Sequence, residues 1–162
     1  MIIYRQLDRA NCYSQEDEFM ENKLNKYLAD LAVEYHKLQN FHWYAKGEDF
    51  FPVHAKLEEL YDGINGAIDE VAENILMING RPLASLKDFM KYASIEEAEA
   101  EYINSDKIFE EVLKDFNILL SEAKEIKKFA DENEEYIISA LMDEYIKQFS
   151  KSIWMIGQSL KD

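Results

Sequence analysis

The chain has 162 residues, a formal net charge of −15 from 33 acidic and 18 basic residues, and a single cysteine. That length suits one domain with a sizeable core, while one cysteine excludes an internal disulfide framework and fits a reducing compartment. The acidic field opposes nucleic acid and phosphorylated ligands and attracts cations, although solubility alone also accounts for a charge excess.

The opening MIIYRQLDRANCY has two arginines and no sustained apolar run. Neither a signal peptide nor a membrane span is expected there, and the expected location is cytoplasmic. A short tail, residues 1–14, precedes the first element. Leu24, Leu28, Leu31, Tyr35, Leu38 and His42 then recur at steps of four and three, one face of a helix. Ser14 with Asp17 is its predicted capping pair, and Gly47 ends the run. A second helix starts near Pro52, with the stripe Leu57, Tyr61, Ile64, Ile68, Val71, Ile75 and Ile78, and stops at Asn79-Gly80.

The third stripe is Phe109, Val112, Phe116, Leu119, Ala123, Ile126 and Ala130; the fourth is Ile138, Leu141, Tyr145, Phe149, Ile153, Ile156 and Leu160. Short turns make the first and second helices antiparallel, and likewise the third and fourth. Between the pairs runs RPLASLKDFMKYASIEEAEAEYINS, in which Ser85 to Tyr92 reads as a short helix. The predicted class is all-α, a single domain over 1–162. Two tight hairpins joined by one long crossover form the ferritin-like four-helix bundle topology. No strand pattern, internal repeat or low-complexity linker is found.

The chain lacks a Gly-rich phosphate loop, a CxxC pair and a G-x-S-x-G elbow. The Glu-x-x-His signature of di-iron bundles is also missing, since no glutamate stands three residues before His36, His42 or His54. On the second helix, however, His54, Glu58, Asn65, Asp69 and Glu73 share a sector about 100° wide. His54 with Glu58, and Asp69 with Glu73, each stand one turn apart and can aim at one point. Glu58 and Asp69 are about 16 Å apart along the axis, too far for one metal within one chain. The two groups are placed symmetrically about a point between Gly63 and Ile64. An antiparallel second copy would therefore bring His54 and Glu58 of one chain to Asp69 and Glu73 of the other, twice over, with Gly63 and Gly66 admitting a close crossing. His42 and His54 flank a short turn and can face the same junction.

Blander readings exist for each residue. His42 on an apolar stripe can be a hydrogen-bonded core residue, and His54 an exposed first-turn residue. Glu58, Asp69 and Glu73 can be solvated surface charges, and Trp43 and Tyr44 packing residues.

NFHWYAKGEDFFPVHAKLEELYDGINGAIDEVAENILMINGRPLASL, residues 40–86, closely resembles the Dps family, the DNA-binding proteins from starved cells or mini-ferritins. KSIWMIGQSL, residues 151–160, looks like that family's last helix. The resemblance implies a hollow dodecamer with ferroxidase centres across two-fold interfaces. His42, His54 and Glu58 of one chain, with Asp69 and Glu73 of its mate, would hold iron there. It further implies oxidation of Fe²⁺, preferably by hydrogen peroxide, storage of ferric mineral, and Trp43 beside the centre intercepting radicals. Zinc suits the same ligands as a competitor.

Three departures stand out. Glu58 occupies a position where the family usually has aspartate. Residues 1–14 lack a lysine-rich tail, so strong direct DNA binding is not expected. Ala140 stands where the family's pores carry an aspartate, leaving Asp131, Glu132, Glu134, Glu135 and Asp143 as candidates for that charge. The alternative functions are a non-enzymatic shell of the same fold and a nucleoid-binding protein.

Overall fold

The structure is a computed structural model that describes residues 15–161. Ser14 and the tail lie outside the described residues. The elements are α1 (Gln15–Tyr44), β1 (Ala45–Lys46), α2 (Phe50–Met77), α3 (Leu86–Tyr92), β2 (Ile103–Asn104), α4 (Ser105–Glu132) and α5 (Tyr136–Ser159). The long helices pack α1 on α2 and α4 on α5, with α1 also against α4 and α3. This is the predicted bundle with a helix in its crossover.

Local chemistry sets the ends. Glu16, Asp17 and Glu18 place negative charge in the first turn of α1, where the helix dipole favours it. Pro52 sits in the first turn of α2, where no backbone N–H is needed. The end of α2 is a Schellman motif: Asn79 takes a φ of 64°, its N–H donates to Leu76 O at 3.0 Å, and Gly80 N–H donates to Ile75 O at 2.9 Å. A Cβ on Gly80 would lie 3.0 Å from both Ile75 Cγ2 and Glu21 Oε2, so a side chain there would force its neighbours to shift. Ser85 caps α3, its hydroxyl accepting from Asp88 N–H at 3.1 Å.

All seven residues of the α4 stripe are buried, as is most of the α5 stripe. On α1 burial extends well beyond the predicted face. A second stripe, Tyr27, Asp30, Glu34, Lys37 and Phe41, is also buried, because α1 is covered by α2, α3 and α4 together.

The polar members of that second stripe organise the interior. Asp30 Oδ1 accepts from Ser94 N–H at 2.6 Å and Ile95 N–H at 2.7 Å, which pins the crossover to α1, and Oδ2 accepts from Lys26 at 2.8 Å. Lys26 also bonds Glu122 of α4. Lys37 donates to Asp115 of α4 at 2.5 Å, with both side chains buried. Glu34 is fully buried, and neither of its oxygens has a hydrogen-bond partner among the described residues. Burial, followed by the Asp115 charge, pushes its carboxyl well above the usual range.

One expectation needs correcting. The sequence predicts no strand, yet β1 and β2 form a parallel pair, Ala45 opposite Ile103 and Lys46 opposite Asn104. Two residues are too few to show an alternating pattern, and the pairing arises because the crossover returns alongside the end of α1.

Candidate metal centre

The α1–α2 hairpin brings the two histidines into contact. Their rings stack with centroids 3.6 Å apart and planes 20° from parallel. His42 Nδ1–H donates to the His54 carbonyl at 2.8 Å, and His54 Nδ1–H donates to the His42 carbonyl at 2.9 Å. A carbonyl only accepts, so each Nδ1 carries the proton. In the neutral ring the Nε2 lone pair is then the free one. This is the arrangement that orients an imidazole as a metal ligand: one nitrogen fixed to a carbonyl, the other available.

His42 is 8% exposed and His54 half-buried. Phe50 packs at 5.0 Å from the His54 ring, and Tyr61 meets the His42 ring edge-on at 5.3 Å. Burial first, then the charges of Glu58 and Asp62, raise the Tyr61 phenol above its ordinary value.

The acids of α2 divide into two sets. Glu59 pairs with Lys56 at 2.8 Å, and Glu70 accepts from Tyr145 Oη at 2.6 Å. Asp69 and Glu73 are exposed and form no hydrogen bond or ion pair among the described residues, and Glu58 is exposed beside Tyr61. Glu58 lies one turn from His54, whereas Asp69 and Glu73 lie near the other end of the helix. Among the described residues no three His, Cys, Asp or Glu side chains in one chain come together to hold a metal. Gly63 and Gly66, between the two groups, are exposed, and a Cβ on either would meet nothing within 4 Å. Their small size therefore serves no packing among the described residues.

The fold and residue set can be placed among known proteins. A ferritin-like domain model matches residues 21–162. The DNA protection during starvation protein 2 of Bacillus anthracis is 39% identical over 133 residues, covering 82% of this chain and 90% of that protein. The DNA protection during starvation protein of Helicobacter pylori is 35% identical over 132 residues, covering 82% and 92%. The chain belongs to the Dps family of ferritin-like proteins.

Solved Dps structures agree. The Vibrio cholerae protein, described as a member of a broad superfamily of ferritin-like diiron-carboxylate proteins, superposes with a TM-score of 0.87 at 35% identity, covering 90% of this chain and 91% of that one. Dps from Listeria innocua soaked with zinc superposes at 0.84 and 32% identity, covering 87% and 95%.

Of the other predicted residues, His36 is exposed, as is Asn65. Trp43 is 63% exposed and makes no ring contact with either histidine among the described residues. Ala140 is exposed on α5. Among the acids near it, Asp131 accepts from Ser139 Oγ at 2.5 Å and shares Lys127 with Asp143. Glu132 lies 3.9 Å from Lys128, while Glu134 and Glu135 have no ion pair among the described residues. The sequence pattern marks Tyr61 only as a stripe residue. Its spacing from His54, two turns along one face, is the signal that it borders the histidines.

Proposed function

We propose that this protein oxidises ferrous iron, with hydrogen peroxide as electron acceptor, at sites shared between two subunits, and stores the ferric product inside a hollow oligomer. The reciprocal hydrogen bonds of His42 and His54 carry this reading. They leave the Nε2 lone pair of each stacked ring free, one helical turn from Glu58, which we read as half of a cation site on a chain of a ferritin-like family. The other half is Asp69 and Glu73 of the partner subunit, reached when two α2 helices cross antiparallel at Gly63 and Gly66.

The donor set suits the task. Imidazole and carboxylate hold Fe²⁺ weakly enough for turnover, and anionic oxygens favour Fe³⁺ once an electron leaves. Two ferrous ions each give one electron to a single peroxide, so no hydroxyl radical is released. The ferric products then hydrolyse to oxyhydroxide and release protons. Zn²⁺ would compete for the same nitrogens and oxygens. The −15 charge of each chain gathers cations and disfavours DNA at physiological salt. We further propose a dodecamer working in the cytoplasm, with Glu134 and Glu135 contributing negative potential near Ala140.

Subunit mixing tests the shared site. His54→Ala and Asp69→Ala should each abolish most peroxide-dependent Fe²⁺ oxidation without dissociating the oligomer. When the two variants are unfolded together and reassembled in equal amounts, half of the two-fold pairs are mixed. Each mixed pair carries one intact site and one doubly altered site. Activity should therefore return to about one quarter of the unsubstituted protein's. A site built within one chain would recover nothing, and that result refutes the arrangement.

A further inference from the structure

Tyr61 borders the proposed half-site on two sides. It lies on α2 one turn beyond Glu58 and two turns beyond His54, so the three side chains share a face. Its ring meets the His42 ring at 5.3 Å and 88°, and meets the ring of Tyr35 on α1 at 5.9 Å and 87°. Tyr35 is itself anchored, its hydroxyl accepting from Gln39 Nε2 at 3.0 Å. The Glu58 carboxylate stands beside the Tyr61 phenol.

The three ligand groups of this half-site are not equally fixed. Both imidazoles are locked by stacking and by backbone carbonyls. Glu58 is exposed, with several rotatable bonds and no cationic partner among the described residues. Binding a cation at a defined point would cost its rotamer freedom unless a neighbour restricts it first. The phenol beside it is the group available to do so. A phenol O–H donating to a carboxylate forms a charge-assisted bond and leaves the second oxygen directed elsewhere.

We propose that Tyr61 is the positioning residue of the half-site: its ring braces His42, and its phenol O–H donates to Glu58 and aims the free carboxylate oxygen at the bound cation. This rests on the reading that His42, His54 and Glu58 form one half of a cation site.

A double-mutant cycle on the assembled, full-length protein tests it, with Co²⁺ alone as the probe, followed by its visible absorption under anaerobic conditions. Tyr61→Phe keeps the ring and removes the O–H. It should weaken Co²⁺ binding about tenfold, the loss expected for one hydrogen bond to a charged group. In the Glu58→Gln background the same substitution should change affinity by less than about twofold, because the charge that the O–H serves is gone. Tyr61→Leu also removes the brace on His42 and should weaken binding in both backgrounds. A merely structural Tyr61 would give equal losses with Glu58 and with Glu58→Gln, and that result overturns the proposal. So does wild-type affinity in Tyr61→Phe. These titrations contain no oxidant. A protein that passes the cycle but does not oxidise Fe²⁺ would therefore remove the proposed reaction and leave the role of Tyr61 standing.

Discussion

Replacing Gly63 and Gly66 with alanine separates what a single chain wants from what an assembly wants. Both lie in the interior of α2 without a positive φ, and a Cβ at either meets no atom of the described residues within 4 Å. Glycine inside a helix costs about 1 kcal/mol relative to alanine. In an isolated chain the double variant should therefore be about 2 kcal/mol more stable, a rise in Tm of about 4–8 °C for a domain of this size. If two α2 helices cross at these residues, the added methyls hold the backbones apart and the order reverses. The variant should then form fewer subunit pairs, and its Fe²⁺ oxidation should fall along with pairing. Thermal melts, sedimentation and a peroxide-dependent oxidation assay on one preparation decide it. A double variant that melts higher, assembles fully and oxidises iron at the unsubstituted rate refutes the crossing, and with it the route by which Asp69 and Glu73 reach the histidines.

Three further outcomes are expected. Burial raises the Glu122 carboxyl to about 7 against the pull of Lys26, so folding favours its protonated form. The stability this contributes is complete below the unfolded pKa of about 4.5 and is lost as pH rises through about 7. After allowing for partial exposure the effect is about 2 kcal/mol, and urea melts at pH 5 and pH 8 should show Glu122→Gln flattening that decline. Asp30→Ala frees two backbone N–H groups of the crossover and one side of Lys26; it should cost about 3 kcal/mol or more in urea unfolding, with faster hydrogen exchange at Ser94 and Ile95. A gel-shift series with duplex DNA should show no retardation at physiological salt, given the −15 charge; a tight complex there would restore the nucleoid-binding reading.

The bundle was legible because its signals are local. The α2, α4 and α5 stripes bury much as written, and Ser85 and Asn79-Gly80 act as cap and stop where their chemistry requires. The second stripe of α1 is hidden in the sequence for a physical reason. Asp30, Glu34 and Lys37 are charged and lie off the predicted apolar face, so nothing local marks them as buried, and only the convergence of α2, α3 and α4 on α1 buries them. The β1–β2 pair is hidden because it joins residues far apart in sequence over too short a length to pattern. For the site, spacing alone pairs His54 with Glu58 and Asp69 with Glu73. It could not show that the histidines lock each other, since that depends on their backbone carbonyls rather than on residue type.

The interior polar groups explain why a ferritin-like bundle of this sequence would place its cation chemistry outside the single chain. Four-helix proteins can hold metals with carboxylates projecting into the core. In this chain the core carboxylates are already occupied. Asp115 is bonded to Lys37, Asp30 to Lys26 and two backbone N–H groups, and Glu122 to Lys26. The remaining one, Glu34, is driven toward its neutral form by burial and by Asp115. A lysine ammonium in each cluster repels an entering cation and leaves the bundle little to gain by admitting one. On α2, Glu58, Asp69 and Glu73 have no such partner among the described residues, and all three are exposed. Replacing Lys37 with methionine should therefore leave Asp115 and Glu34 sharing one proton inside the core, destabilising the fold by about 3–5 kcal/mol as a broken buried ion pair does. The proposed outer site should bind Co²⁺ as in the unsubstituted protein. A Lys37→Met protein that keeps its stability would show that the lysine does not compensate those carboxylates, and occupied core acids would no longer account for an outward-facing site.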